Sequence, residues 1–278
     1  MTDADAAADA FEVLSDPSRV AILRELAGQF YRHDGRPVGF ADLRRAVGID
    51  DPGRFNYHLD RLRDQFVVKR DDGYAPTVAG LKAIESAEAG VYTDDTEPAS
   101  AAVDYDCPDC GGRATATYEN HYVTVTCDDH GRLFRTTVPA TLYAGDDLDA
   151  VVQYAIAEMW RRVDRATDGV CPVCRAPAIT VEFRAHDDAV LADTTCAACY
   201  YEETNHVALF ALSHPAVQSL ASDHGHDLKR RLPREFLDDW TDDAAFADAD
   251  RSAVELTVSI GDEDVTLRVR DDLSVEAV

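Results

Sequence analysis

At 278 residues the chain is long for one small domain and suits two or three, and a hydrophobic fraction of 46% supports packed cores and excludes disorder throughout. The acidic opening MTDADAAADA lacks the apolar stretch of a secretory signal, and the longest apolar candidate, DAVVQYAIAEMW, is broken by Asp and Glu, so a soluble, cytoplasmic protein with no membrane partner is expected. Acids outnumber bases 53 to 27, a net charge of −26, but unevenly: residues 15–85 carry 12 bases and 11 acids (+1), whereas residues 91–278 carry 15 and 37 (−22).

In chain order, four helices are predicted within the first 66 residues. The first ends at FEVLSDPSR, where Ser15 or Asp16 can cap a second helix that has Pro17 as its first residue. That helix, PSRVAILRELAG, buries Val20, Ile22, Leu23, Leu26 and Ala27, and Gly28 suits its end. A short third helix, FADLRRAVG, turns Phe40, Leu43 and Val47 inward. The fourth is capped by Asp50 or Asp51, with Pro52 in its first turn. Its buried stripe is Phe55, Leu59, Leu62 and Phe66, at i, i+4, i+7 and i+11. At about 100° per residue, Arg54, Tyr57, His58, Arg61 and Gln65 share one outer flank, Asn56 and Arg63 fall on the other side, and Asp60 and Asp64 point away from the basic flank. A strand carrying Lys69 and Arg70, a turn at Asp71-Asp72-Gly73, a return strand and a last helix, VAGLKAIESAEAG, complete a unit over residues 1–90.

Helix, helix, short helix, helix, hairpin, helix is the order of a winged helix-turn-helix. The stretches FEVLSDPSRVAILREL, FADLRRAVGI, FNYHLDRLRDQFVV and GYAPTVAGLKAI, in that order and spacing, resemble the arsenic-repressor-like (ArsR-type) winged-helix transcriptional regulators. Many carboxylates with only three lysines (Lys69, Lys82, Lys229) further resemble the proteins of halophilic archaea, whose hydrated acidic surfaces tolerate salt. The family resemblance implies a fourth helix in the major groove of double-stranded DNA, a hairpin gripping phosphate through Lys69 and Arg70, and a homodimer on two half-sites. The residue types agree: Arg54 and Arg61 can pair with guanine, Asn56 with adenine, and Tyr57 or His58 with phosphate. An ordinary solvated face in a protein-binding winged helix is the competing reading. ArsR-type sensors often carry effector-binding cysteines or histidines in this unit; residues 1–106 hold no cysteine and only His33 and His58, so metal sensing there is not expected.

Residues 91–105 read as a linker. All seven cysteines follow it, as Cys107-x-x-Cys110 with Cys127-x-x-His130, and Cys171-x-x-Cys174 with Cys196-x-x-Cys199. Paired knuckles at these spacings close tetrahedral zinc sites, one Cys₃His and one Cys₄. Disulfides are disfavoured in a cytoplasmic chain, and no thioredoxin-like context surrounds the Cys-x-x-Cys pairs. Four protein ligands leave no open position for a catalytic water, so two structural zinc ions are expected and an enzyme is not. Hairpins fill the gaps, the second turning at His186–Asp188, and a further strand and a helix follow each. This internal repeat, offset by 64 residues, divides the region into units at 106–169 and 170–278. DDWTDDAAFADADRS reads as an acidic linker, and AVELTVSI and VTLRVR as a terminal β-hairpin, with LSVEAV as a possible third strand. His214, His224 and His226 read as a helix cap and turn rather than a metal site.

The expected fold is therefore α+β: an N-terminal winged helix-turn-helix, two zinc-ribbon-plus-helix repeats and a C-terminal β-hairpin. The expected function is DNA-binding transcriptional regulation, with the zinc-bearing region sensing a ligand, recruiting a partner or adding dimer contacts. A general transcription component resembling archaeal transcription factor E, bound to the polymerase or other transcription machinery, is the alternative. A zinc-dependent hydrolase or nucleic-acid-modifying enzyme stands third and would require an exchangeable water on the metal.

Overall fold

The computed structural model describes residues 4–92, 96–143, 147–186, 189–232 and 234–278, with backbone alone at 234, 238–239 and 242–243. The chain is α+β. It divides into two compact units, one of Met1–Thr96 with Pro139–Leu142 and one of Glu97–Val138 with Tyr143–Val278.

In the first unit α1 (Ala4–Leu14) is followed by α2 (Pro17–Arg32), which starts where Asp16 accepts the backbone N–H groups of Ser18 at 2.8 Å and Arg19 at 3.3 Å. The next helix, α3 (Phe40–Val47), stops at Gly48, which takes the left-handed conformation that an L side chain resists. Asp51 then caps α4 (Pro52–Leu62) through the N–H groups of Gly53 and Arg54. Ile22, Leu23, Leu26, Leu43, Phe55, Leu59 and Leu62 are fully buried and make the core of this unit. The expected stripe on α4 overran its end. Arg63 is extended and Asp64 has a φ of 69°, so Phe66 reaches the same core from the turn beyond the helix. Strands β1 (Val67–Arg70) and β2 (Gly73–Pro76) form a hairpin, Val38 bridges to Tyr74 on its other edge, and α5 (Val78–Glu88) closes the unit.

Gly80 lets α5 lie against the turn: a Cβ there would stand 2.3 Å from the carbonyl oxygen of Phe66. Helix propensity alone favours Ala over Gly by about 1 kcal/mol. Here the obstructing atom is backbone, and forced overpacking costs about 1–3 kcal/mol. Gly80→Ala is therefore expected to destabilise this unit, read as an earlier loss of helical signal in denaturant titration of the full chain. A stabilised variant would contradict the close approach.

In the second unit β3 (Ala99–Asp106), β4 (Arg113–Glu119), β5 (Tyr122–Cys127) and β6 (Gly131–Thr137) form an antiparallel sheet in chain order. The linker expected at 91–105 is thus partly strand, with Val103 and Tyr105 buried at alternate positions; residues 93–95 of it lie outside the described residues. Across this sheet lies α6 (Leu148–Thr167), whose buried face runs from Val151 and Val152 through Ala155, Ile156 and Trp160 to Val163 and Ala166. A second antiparallel sheet joins β7 (Ile179–His186), β8 (Ala189–Cys196) and β9 (Glu202–His206); the turn expected between β7 and β8 falls at residues 187–188, outside the described ones. The expected third strand ends at His206, and its apolar continuation coils into α7 (Ala208–Leu212), every residue of which is buried.

His214 caps α8 (Pro215–Asp223) by accepting the N–H of Ala216. Much of the segment expected as an acidic linker is ordered: α9 (Arg234–Trp240) leads straight into β10 (Thr241–Phe246), the first strand of a sheet completed by β11 (Ala253–Ile260), β12 (Glu263–Arg270) and β13 (Val275–Ala277). One continuous hydrophobic cluster runs from Val103 and Tyr118 through α6 to Phe183, Phe210, Val254 and Leu267. The two ribbon repeats, at 106–169 and 170–278, share this one core.

Candidate metal centres and candidate nucleic-acid interface

Each candidate metal centre is assembled from two sequence-local knuckles brought together by a hairpin. In the first, the N–H of Gly111 bonds the carbonyl of Cys107 at 2.8 Å and the N–H of Cys107 bonds the carbonyl of Gly112 at 2.8 Å, curling the chain so that both sulfurs face one point. The second repeats this with Arg175 N–H to Cys171 and Cys171 N–H to Ala176, both at 3.0 Å. The residue after a knuckle's last ligand takes a positive φ at Gly111 (68°), Gly131 (70°) and Arg175 (63°), the tight reversal that knuckle geometry demands. Strands β4 and β5 then bring Cys127 and His130 to Cys107 and Cys110, and β7 and β8 bring Cys196 and Cys199 to Cys171 and Cys174.

The donor atoms of each set lie within 4.8 Å of one another. A tetrahedral ion with metal–sulfur bonds of about 2.3 Å holds its sulfurs about 3.8 Å apart. The observed separations are 3.6 Å for Cys110–Cys127 and 3.7 Å for both Cys171–Cys199 and Cys174–Cys196. His130 presents Nδ1, at 3.6 Å from Cys107 and 3.8 Å from Cys127. A disulfide needs about 2.05 Å, and all seven cysteines are free. The geometry is that of two sites able to hold one metal ion each.

Backbone N–H groups favour the thiolate form at four of the sulfurs. The N–H groups of Gly112, Val173, Ala198 and Tyr201 each point at a cysteine sulfur at 3.4 Å. The hydrogen bond from His130 draws Cys127 down to about 6. At Cys110 the N–H of Gly112 acts in the same direction, but the adjoining sulfurs of Cys127 and Cys107 push it up to about 11. Sulfurs this close cannot all ionise beside one another; a dication among them removes that conflict.

On the first unit the expected nucleic-acid residues divide. Arg54, Asn56, Tyr57 and Arg61 on α4 and Lys69 and Arg70 at the hairpin are exposed. His58 is not: it is buried, its Nδ1 is 3.6 Å from Asp16 Oδ1, and its ring stands edge-on to Tyr57. A helical wheel puts His58 on the outer flank, but the N-terminal end of α2 covers that position. His58 is therefore removed from the contact set. Asn56 donates its amide to Asp60 at 2.8 Å, and Arg54 reaches Ser18 Oγ at 3.4 Å. Arg44 is absent from the expected set: it is tied to the carbonyls of Ile49 and Asp50 and braces the turn between α3 and α4.

No curated protein and no solved structure matches the chain. Residues 7–87, the helical unit with its hairpin, match a family described as Domain of unknown function (DUF7347). A second family match covers residues 104–275, more than half of the chain, and takes in both four-ligand clusters, α6 and most of the terminal sheet. On that match the chain belongs to the family described as Domain of unknown function (DUF7351).

Proposed function

We propose that the protein is a DNA-binding transcriptional regulator whose first unit is a winged helix-turn-helix of the ArsR-like type, acting as a homodimer, with two structural zinc ions in the second unit. The observation that carries this reading is the exposed set of Arg54, Tyr57 and Arg61 on one face of α4, followed directly by exposed Lys69 and Arg70 on the hairpin, in a chain of net charge −26. The order α2, α3, α4, hairpin, α5 supports reading α4 as a recognition helix and the β1–β2 hairpin as a wing. Zinc suits the Cys₃His and Cys₄ donor sets because it is tetrahedral, soft enough for thiolate and free of redox change.

The test is selection of DNA fragments by the purified full chain at moderate and high KCl. Counterion release weakens non-specific binding steeply as salt rises, whereas groove contacts keep some selectivity. Arg54→Ala and Arg61→Ala should each weaken specific binding by about 1–3 kcal/mol. Lys69→Ala and Arg70→Ala should weaken binding to all sequences alike and flatten the salt dependence. A recovered palindrome lost in the double arginine variant supports the reading. No enrichment at either salt would end it and move attention to the polymerase as the partner.

A further inference from the structure

A cleft of about 270 Å³ opens in the second unit between β5 and β6 of the first ribbon, α6, and β9 and α7 of the second. Its floor is apolar, built from Phe134, Met159, Val163, Leu209 and Phe210. Its charge is unlike that of its surroundings. Residues 91–278 carry 37 acids and 15 bases, yet two arginines, Arg135 and Arg162, line this cleft against a single carboxylate, Glu203.

That carboxylate is already committed. Glu203 accepts the Tyr201 hydroxyl at 2.8 Å and pairs with Arg162 at 3.7 Å. Arg135 is different: it is exposed, it forms no ion pair among the described residues, and its guanidinium carbon stands 3.9 Å from the centre of the Tyr122 ring. With no acidic partner, its N–H edge is left to bond a carboxylate in bidentate fashion.

We infer that this cleft is a binding site for a small monocarboxylate with an apolar body. The carboxylate sits on the edge of Arg135, and the body lies on the apolar floor. A polyphosphate would bring more negative charge than one uncommitted arginine offsets in so acidic a unit. A neutral body of the same shape would leave the Arg135 edge without its anion. The occupant would also be linked to the second metal centre, because Tyr201 lines the cleft and its backbone N–H donates to Cys199 Sγ at 3.4 Å. This site does not depend on the DNA-binding reading, and its test reads binding directly.

The test is calorimetric titration of the metal-replete full chain with indole-3-acetate and with its neutral counterpart indole-3-acetamide. The acid is expected to bind at about 0.1–1 mM, from the affinity typical of so few atoms, and the amide about tenfold more weakly. Arg135→Gln should bring the acid down to the level of the amide. Thr136→Trp, which fills the cleft from a strand position suited to an aromatic residue, should abolish binding of both. Unchanged metal content and melting temperature establish that these variants are folded; should either fail that check, Arg135→Lys, which keeps the charge and loses the bidentate edge, gives the same reading through an intermediate loss. No binding of the acid at about 10 mM, equal binding of acid and amide, or unchanged binding in the variants would overturn the assignment.

Discussion

Cys171→Ser is expected to cost the chain one metal ion and to unfold the second unit as a whole rather than one ribbon of it. A structural zinc site contributes about 10–16 kcal/mol in isolated peptides, whereas an entire domain is stable by about 5–15 kcal/mol. Loss of one of four ligands therefore removes a large part of the margin. It also leaves Cys174, Cys196 and Cys199 crowded without the cation that reconciles them. Because the ribbons share one hydrophobic cluster, the damage cannot stay local. The readout is clean: both tryptophans, Trp160 and Trp240, lie in the second unit, so their fluorescence follows that unit alone. Expected are one ion instead of two by elemental analysis, a red-shifted emission spectrum and retained helical signal from α2, α4 and α5. Chelation of the parent should reproduce this result. A chelated chain that keeps its tryptophan environment would show that metal does not hold the fold.

Trp160→Ala is the second large effect. Trp160 is the largest fully buried side chain, on the face of α6 that packs toward the first sheet, and its indole N–H donates to the Arg231 carbonyl at 3.1 Å while Lys229 lies 5.2 Å over its ring. It thereby fastens the segment after α8 to the helix that covers the first ribbon. Truncating a buried tryptophan costs about 3–5 kcal/mol. Trp160→Phe keeps most of the volume and loses the hydrogen bond, about 1 kcal/mol net plus the unmet carbonyl. Urea titration followed by Trp240 emission should therefore rank parent, Phe and Ala in that order. An Ala variant within about 1 kcal/mol of the parent would mean the cavity collapses freely, against the packing described.

How much of this was legible beforehand depends on the range of the interaction that decides each feature. The metal ligands, Cys107, Cys110, Cys127 and His130 with Cys171, Cys174, Cys196 and Cys199, were readable from spacing, because a knuckle is a local turn whose two ligands are three positions apart. The start of α4 was equally readable, since an Asp–Pro boundary acts within a few residues. Its end was not: the apolar period continues to Phe66, but the chain leaves the helix at Arg63 and delivers Phe66 to the core from a turn. β3 and β10 were hidden for a compositional reason, as Ala, Ser and Asp give weak strand signals and pairing with β4 and β11 decides the matter.

By itself, then, the sequence determined the ligand sets, the helix starts, the alternating strands of the ribbons and the segregation of charge between the two ends of the chain. These all follow from contacts a few residues apart or from composition. Only the tertiary structure decided that His58 lies under the start of α2, that both ribbons are packed into one core, and that Arg135, Arg162 and Tyr201 meet across a cleft. The physical reason is common to all three. Periodicity reports which face of an element is apolar, but which faces meet is settled by packing between segments tens of residues apart, and no local pattern records that choice.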